Sequence, residues 1–395
     1  MFRSKENKLW LLTVMLVAYG LVYFHRVMAG VMMYEMVTFA EYYSVDPKYL
    51  LSLFPSAYFY AYALAQLFVG SLVDSYGVKR TGTLMIALMG ASTALMVLPS
   101  AEILVAGRFL VGLTAAVVFV ASQRVASLGF SSKSQTMITS LFLMVGNVSA
   151  LFATYPLRLF LSAYGVASLF LMLALLSVAI ALLTFIFSRD VGTSNQGIGL
   201  KSTWKEMLLI LKSKHAIAVA MGAVATYGTG LAFQAAWGQD LMMGLFEMSK
   251  EAASMYLMIL GLAFVATTFP AAALSDRVLG RRKPVLIAAL ILSIIAWTSV
   301  GVASFIKSLD LFIVGLLLIG ISMGLHAVCP PMVREPFGQD FAATATSVYN
   351  LILFSWTAVL QSIEPLTSSM SVVLLSLAIS LVGLAIVYKY AEEAK

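Results

Sequence analysis

The chain has 395 residues, of which 61% are hydrophobic and only 11% are charged, and its mean hydropathy is +0.95. Soluble domains carry about a quarter charged residues, so this composition excludes a soluble protein and predicts an integral membrane protein. The net charge of +7 does not indicate nucleic-acid binding, because in a membrane protein the positions of Lys and Arg report topology: they concentrate on the cytoplasmic side. The sole cysteine, Cys329, excludes a disulfide framework and a thiol metal cluster.

Apolar runs long enough to cross a ~30 Å hydrocarbon core recur along the whole chain, without the strict alternation typical of a membrane β-barrel. The N-terminal run continues without a small-residue cleavage site, so we interpret it as an uncleaved first span. The predicted spans are 9–38, 50–73, 81–99, 102–125, 134–157, 165–187, 215–240, 251–275, 284–306, 309–333, 341–363 and 369–390.

The distribution of basic residues predicts the orientation. With the N-terminus inside, most Lys and Arg fall in inner segments, and the outer segments hold only Lys48, Arg158, Lys250 and Lys307. We therefore predict a multi-pass protein of the cell membrane with both termini in the cytoplasm. The longest polar segment divides the chain into a six-helix bundle over 1–187, a cytoplasmic linker over 188–214 and a second six-helix bundle over 215–395.

The two halves resemble each other. "GVKRTGTLMIAL" (77–88) aligns with "GRRKPVLIAAL" (280–290), and "ILVAGRFLVG" (103–112) aligns with "LFIVGLLLIG" (311–320). Internal repeats of this kind are typical of secondary transporters, whose substrate site lies near the membrane midplane between the repeats. The duplication therefore indicates transport.

The loop between the second and third spans, which begins at residue 70, reads "GSLVDSYGVKR". It resembles the signature of the major facilitator superfamily, G-x-x-x-D-x-x-G-x-[RK]-[RK]. The matching residues are Gly70, Asp74, Gly77, Lys79 and Arg80. On physical grounds, we expect Gly70 to permit a close helix approach and Gly77 to permit a tight turn.

A second copy, "AALSDRVLGRRK" (272–283), keeps Asp276, Gly280, Arg281 and Arg282 but has Ala272 in place of the first glycine and one extra residue before Gly280. The resemblance implies an all-α integral membrane fold with twelve transmembrane helices in two pseudo-symmetric six-helix bundles. It also implies that the acids and bases of both copies form cytoplasmic gating contacts. The alternative is an ordinary positive-inside loop with a helix-capping Asp, which does not explain the repeated spacing.

In the fourth span, "GRFLVGLTAA" (107–116) is similar to the family's R-x-x-x-G pattern. The resemblance implies a buried, proton-linked role for Arg108, and the alternative is an arginine that extends to the outer interface. The fifth span, "FLMVGNVSALFATYP" (142–156), lacks the embedded Gly-Pro of proton-coupled drug antiporters, which counts against a drug exporter.

The first span contains a charge, in "VYFHRVMAG" (22–30). At 100° per residue, Tyr19, Tyr23 and Arg26 share one face of the helix, whereas His25 and Glu35 point elsewhere. Because charges at membrane depth are costly and usually face a cavity, we interpret Arg26 as an anion clamp. The alternative is an arginine that pairs with a helix carbonyl or an acid.

The stretch "YFHRV" also resembles the first-helix pattern of the anion:cation symporter branch, in which an Asp precedes the arginine; here His25 takes the place of that Asp. His25, Glu35 and Arg108 are the candidates for proton coupling. The position equivalent to Arg26 in the second half falls near Tyr227–Gly228, in a span without Arg or Lys. A single buried arginine favours a monocarboxylate over a phosphate.

Further polar and aromatic residues lie at membrane depth on spans that line the cavity in this superfamily. Each is also consistent with an interhelical hydrogen bond or an aromatic anchor. The candidate pocket residues are Tyr58, Tyr62, Gln66, Asn147, Tyr227, Gln234, Trp237 and Asn350.

We therefore predict a secondary active transporter of a small organic solute, of monoanionic carboxylate type, which works by alternating access in symport with H+. The alternatives are an exporter of drug-like compounds, a transporter of peptides or neutral solutes, and a non-transporting receptor. No phosphate loop, nucleophile elbow or paired metal ligands appear, so we predict no enzyme activity and no cofactor beyond the ion gradient. The expected partners are the solute and the lipid bilayer, with no nucleic acid, and the expected state is a monomer.

Overall fold

The structure is a computed structural model that describes residues 5–129, 132–187 and 200–393, and within these ranges it consists of helices and short connections without a β-strand. The α-helices are α1 (Lys5–Val27), α2 (Met33–Tyr42), α3 (Pro47–Ala65), α4 (Val69–Leu95), α5 (Ala101–Gly129), α6 (Ser132–Phe152), α7 (Tyr155–Phe187), α8 (Leu200–Leu211), α9 (Lys214–Ala223), α10 (Thr229–Ala232), α11 (Gly238–Phe246), α12 (Lys250–Ala273), α13 (Lys283–Ile306), α14 (Leu309–Leu325), α15 (Cys329–Arg334), α16 (Gly338–Ile363) and α17 (Ser369–Tyr390). Short 3₁₀ segments are Met28–Val31, His326–Val328, Glu335–Phe337 and Glu364–Leu366, and π-helical segments are Val224–Gly228, Phe233–Trp237 and Leu274–Leu279.

These helices confirm the predicted all-α membrane fold. In the described ranges, nine helical segments are each long and apolar enough to cross a membrane. The chain divides by contact density into two compact units. The first comprises the residues up to Met28 together with Ala57–Trp204, and the second comprises Ala29–Ser56 together with Lys205–Lys395. The division into 1–187, 188–214 and 215–395 stays a prediction, and residues 188–199 of the linker lie outside the described ranges.

In the first unit, α1 packs on α5, α6 and α7, and α4 packs on α5 and α7. Glycines bend two of these helices. Gly77 bends α4 at φ 76° and ψ 166°, and Gly165 bends α7 at φ 77° and ψ 174°. Both glycines follow a tyrosine and precede a valine. Because only glycine adopts this region readily, the tight turn predicted at Gly77 is present.

In the second unit, α14 packs between α12 and α13, while α17 packs on α9 and α13. The predicted seventh span is a composite of α9, α10 and α11 joined by the first two π-helical segments. A π-helical turn holds one residue more than an α-helical turn and is frequent at functional sites. Tyr227, Gln234 and Trp237 all lie in these two turns.

The linker predicted over 188–214 contains a helix, α8, in its described part. Met207 and Ile210 on α8 are buried. Glu206 accepts a hydrogen bond from Thr344 of α16, with 3.0 Å between Oε2 and Oγ1. Helix α8, at the C-terminal end of the predicted linker, therefore contacts α16.

Candidate solute-binding site

Arg26 lies at the centre of the candidate site in the first unit, in the last turn of α1. Arg26 is only 4% exposed. Its Cζ lies 4.3 Å from the ring centroid of Tyr23 and 5.2 Å from that of Tyr62. The Tyr19 and Tyr23 hydroxyls are 3.3 Å apart, and their ring centroids are 5.0 Å apart. The shared face predicted for these residues on α1 is thus the face that carries the guanidinium.

Helix α3 adds two tyrosines to this group. The Arg26 guanidinium lies beside the side chains of Tyr58 and Tyr62, one turn apart on α3. The Tyr58 hydroxyl also donates to the backbone carbonyl of Val22, at 3.2 Å. The guanidinium is therefore held by α1 and α3 through aromatic faces and phenol oxygens, in a surrounding of low polarity.

Helix α6 packs against the rings of Tyr19 and Tyr23 on α1. A Cβ at Gly146 would lie 2.8 Å from Cε1 of Tyr19 and 2.9 Å from Cδ2 of Tyr23, so only glycine leaves room for both rings. Asn147, the next residue, is buried. Gln66 follows the end of α3, where its Nε2 donates to the carbonyl of Tyr62 at 3.3 Å. Gln66 thus bonds to its own turn.

Arg108 on α5 is fully buried, so it does not extend to the outer interface. Its Nη1 donates to the backbone carbonyl of His25 at 2.9 Å, and its Cζ is 5.1 Å from the ring centroid of Tyr58. One turn later on α5, a Cβ at Gly112 would lie 2.1 Å from the carbonyl oxygen of Tyr58. These contacts explain the R-x-x-x-G pattern physically. The arginine donates a hydrogen bond to α1, and the glycine allows α3 to pack closely against α5.

The His25 ring is fully buried, and neither ring nitrogen has a hydrogen-bond partner among the residues that the structure describes. Glu35 belongs to the second unit, where its carboxylate lies 3.8 Å from the ammonium of Lys250. That ammonium also lies 4.2 Å from the centroid of the Tyr34 ring. Of the candidates for proton coupling, Glu35 is thus ion-paired, Arg108 binds a carbonyl and His25 is enclosed.

In the second unit, Tyr227 stacks on His326 with ring centroids 4.2 Å apart, and Phe264 lies 5.7 Å from the Tyr227 ring. The His326 Nδ1 lies 2.5 Å from the carbonyl of Met323. Because a carbonyl only accepts, Nδ1 carries the proton. No sequence pattern predicted this contact, because Tyr227 and His326 belong to different helical segments that are far apart in the chain.

The other candidates of this unit are buried. Trp237 belongs to an aromatic cluster with Phe233 and Trp297, at centroid distances of 4.9 and 6.0 Å. Gln234 lies in the same π-helical turn, and Asn350 is largely buried on α16. Trp237 therefore packs in the interior of its unit and is not an interface anchor.

In the first signature copy, a Cβ at Gly70 would meet no heavy atom within 4 Å among the described residues, so the predicted close helix approach is not seen in that part of the structure and stays a prediction. The Lys79 ammonium lies 4.3 Å from the Phe185 ring centroid, and Arg80 is exposed. The side chain of Asp74 lies outside the described part of the structure, as does that of Asp276 in the second copy. Their gating role stays a prediction.

The second copy shows how the extra residue is accommodated. The segment Leu274–Leu279 is π-helical, which absorbs one residue, and Gly280 then ends it at φ 59° and ψ 16°. Arg282 forms an ion pair with Glu335. Arg281 is exposed.

The side-chain carboxylate of Glu393, which was not predicted to have a role, contacts the end of this second copy. Glu393 accepts from the backbone N–H groups of Arg282 and Lys283 at 3.1 and 2.6 Å, at the start of α13. The Lys283 ammonium donates to the carbonyls of Tyr388 and Ala391, at 3.0 and 2.6 Å. No sequence pattern connects Glu393 with Arg282 and Lys283, which lie 111 and 110 positions earlier, so this contact was not predicted. Arg158, which the sequence places among the outer basic residues, is buried in α7.

Comparisons with known proteins agree with this architecture. The sequence profile of the Major Facilitator Superfamily matches residues 15–361. The solved structure of a D-xylose-proton symporter is similar over 99% of both chains, at 14% identity and a TM-score of 0.77. The xylose transporter XylE from E. coli, in a partially occluded inward-open conformation, is similar over 98% of this chain and 99% of its own, at 13% identity and a TM-score of 0.76.

A bacterial homologue of the human lysosomal transporter Spinster, inward-facing and occupied, is similar over 98% of this chain and 97% of its own, at 13% identity and a TM-score of 0.74. No curated protein sequence matches the chain. At such identities the structural likeness concerns the fold alone. The fold and the duplicated signature define a multi-pass membrane transporter of the secondary type, not an enzyme. The chain belongs to the Major Facilitator Superfamily.

Proposed function

We propose that the chain transports a small monoanionic organic solute of carboxylate type, by alternating access and in symport with protons. The observation that carries this proposal is the Arg26 guanidinium held over the Tyr23 ring inside the first unit. An aromatic ring contacts the face of a guanidinium, whereas a carboxylate binds its N–H edge. The tyrosines therefore orient the cation in a manner compatible with carboxylate binding.

The charge balance of the two halves supports a single negative charge. The segment of the second unit equivalent to α1 is centred on Tyr227 and Gly228, and residues 215–240 contain neither Arg nor Lys. A phosphate of charge near −2 favours more than one cationic contact, whereas one guanidinium fork matches one carboxylate. This asymmetry favours a monocarboxylate.

Proton coupling is assigned to His25 within this proposal. It adjoins Arg26 in the chain, and its buried ring has no hydrogen-bond partner among the described residues. A change of conformation that admits water to the ring permits protonation near neutral pH. Glu35 is the weaker candidate, because Lys250 already pairs with its carboxylate.

The experiment is uptake into liposomes under an imposed pH gradient, with labelled lactate and gluconate as probe anions and without ATP. Arg26→Gln is expected to abolish uptake, and Arg26→Lys to retain a minor part, because lysine keeps the charge but loses the fork. The matched control is Lys48→Gln, which removes an exposed cation. Unchanged anion uptake by Arg26→Gln would refute the anion clamp. A thermal-shift screen of monocarboxylates at two pH values broadens the choice of solute.

A second candidate function is the transport of a neutral hydroxylated solute. It is favoured by the phenol oxygens around Arg26 and by the structural likeness to a D-xylose-proton symporter. In that case the guanidinium serves to orient the tyrosines. Labelled xylose in the same liposomes separates the two functions, because only a neutral-solute transporter takes up xylose in preference to both anions. The sequence-based alternative of a drug exporter gains no supporting contact.

A further inference from the structure

A groove of about 440 Å³ lies at one end of the second unit, where α12 and its π-helical extension Leu274–Leu279 meet the end of α14. Its walls are formed chiefly by the apolar side chains of Pro270, Ala271, Leu274 and Leu325. A groove of this volume accommodates a segment of hydrocarbon chain.

The groove offers little to a polar solute. The Thr267 hydroxyl donates to the carbonyl of Ala263 at 2.7 Å, so its hydrogen is already used within α12. The other polar side chain that lines the groove is Arg277, in the π-helical extension. The groove is thus apolar apart from Thr267 and the cation of Arg277.

The charge on Arg277 is not neutralised by the described side chains. Its neighbours are engaged, because Arg282 pairs with Glu335 and Lys283 donates to the carbonyls of Tyr388 and Ala391. Arg277 is exposed and forms neither a hydrogen bond nor an ion pair with any side chain that the structure describes. An anion from outside the chain therefore meets no competing carboxylate in that part of the structure.

The groove continues surfaces that suit lipid. Leu325 extends the stripe of exposed apolar residues on α14 that includes Val314 and Leu317. Only 33% of the most apolar window of the span Lys250–Leu279 is buried. Arg277 lies at the end of this span that the positive-inside rule places in the cytoplasm, where the leaflet carries anionic lipids.

We infer that this groove binds an anionic phospholipid of the cytoplasmic leaflet, with one acyl chain along Ala271, Leu274 and Leu325 and the phosphate at Arg277. The inference does not depend on the proposed solute. The site overlaps the second signature copy, because Arg277 lies within the π-helical turn that absorbs its extra residue.

The test is native mass spectrometry of the full-length protein released from neutral detergent micelles. The protein is titrated with dioleoylphosphatidylglycerol and, separately, with dioleoylphosphatidylcholine. The wild type is expected to bind the first phosphatidylglycerol more tightly than phosphatidylcholine. Arg277→Gln is expected to weaken that binding about fivefold, the change that corresponds to ~1 kcal/mol for one basic residue near the surface. The charge control is Arg281→Gln, which removes an exposed cation just after the π-helical extension and outside the groove lining.

The acyl-chain half of the site has its own pair of variants. Leu325→Trp fills the groove and is expected to abolish the tight phosphatidylglycerol adduct, while Leu317→Trp, on the same face of α14 outside the groove, leaves it unchanged. Thermal unfolding in lipid-free micelles checks that each variant is folded. Equal losses for Arg277→Gln and Arg281→Gln would overturn the site in favour of a diffuse basic surface. Unchanged binding by folded Leu325→Trp would overturn the groove.

Discussion

Arg108 donates from Nη1 to the backbone carbonyl of His25 at 2.9 Å, which joins the buried part of α5 to the last turn of α1. The last four carbonyls of a helix have no partner within it, and a cation there also meets the negative end of the helix dipole. His25 directly precedes Arg26. Arg108 is therefore a positioning residue that fixes the backbone from which the candidate clamp projects.

Replacement of Arg108 is expected to lower stability and to displace Arg26. Arg108→Gln leaves the His25 carbonyl poorly paired in a buried place, at a cost of about 1–3 kcal/mol. Arg108→Lys keeps a charge and is expected to retain part of the stability. The measurement is thermal unfolding in micelles together with the KM for the probe anion, which rises if Arg26 shifts. Unchanged stability and KM in Arg108→Gln would contradict the positioning role.

Gly112 is expected to tolerate no side chain. A methyl group at Gly112 would lie 2.1 Å from the Tyr58 carbonyl oxygen, so Gly112→Ala forces α5 and α3 apart. We expect a loss of at least about 2 kcal/mol, or failure to fold. Gly70→Ala is the matched control, because its Cβ meets no described heavy atom within 4 Å and alanine favours helix by up to ~1 kcal/mol. The readout is the Tm of both variants in the same detergent, and equal shifts would refute the steric explanation.

The sequence could predict which residues share a face of one helix, but not which residues of different helices contact each other. Periodicity on one helix predicted that Tyr19, Tyr23 and Arg26 share a face, because those residues lie within two turns of each other. It could not predict that Tyr58 and Tyr62 bind the same guanidinium, since that contact depends on how α3 packs on α1. A signature glycine such as Gly70 identifies a family and does not by itself indicate a steric need.

The signature glycines Gly77 and Gly280 are expected to respond differently to asparagine. Gly280 has φ 59° and ψ 16°, in the left-handed helical region that asparagine tolerates, whereas Gly77 has φ 76° and ψ 166°, which is essentially restricted to glycine. We therefore expect Gly280→Asn to cost less than about 1 kcal/mol and Gly77→Asn about 1–3 kcal/mol. Thermal unfolding of the two variants checks this difference. A cost for Gly280→Asn as large as that for Gly77→Asn would contradict it.

The alignment of the two signature copies predicted one extra residue before Gly280, but not its structural form. An inserted residue either extends a loop or widens a helical turn, and the local sequence does not distinguish these outcomes. Here the helix absorbs the residue as the π-helical segment Leu274–Leu279. That turn carries Arg277, so the insertion also sets where this cation lies beside the groove.

Glu393, which lies just after α17, is expected to stabilise the start of α13. Its carboxylate accepts from the N–H groups of Arg282 and Lys283, where a helix has unpaired donors and a positive dipole end. Glu393→Gln removes the charge and keeps the shape, so we expect a loss of about 1 kcal/mol, and Glu393→Ala about 2 kcal/mol. The loss is expected to shrink in high salt only slightly, because both bonds are partly buried.

Glu392→Gln is the control for Glu393, because the Glu392 side chain is exposed and this residue acts through its backbone N–H, which donates to Nδ1 of His215 at 2.9 Å. That variant removes the same charge one residue away and leaves the backbone contact intact. Thermal unfolding of the three variants, with hydrogen exchange at the first amides of α13, separates capping from a general charge effect. Faster exchange at those amides in Glu393→Gln alone supports the cap, whereas equal changes in Glu392→Gln would show that only the net charge of the terminus matters.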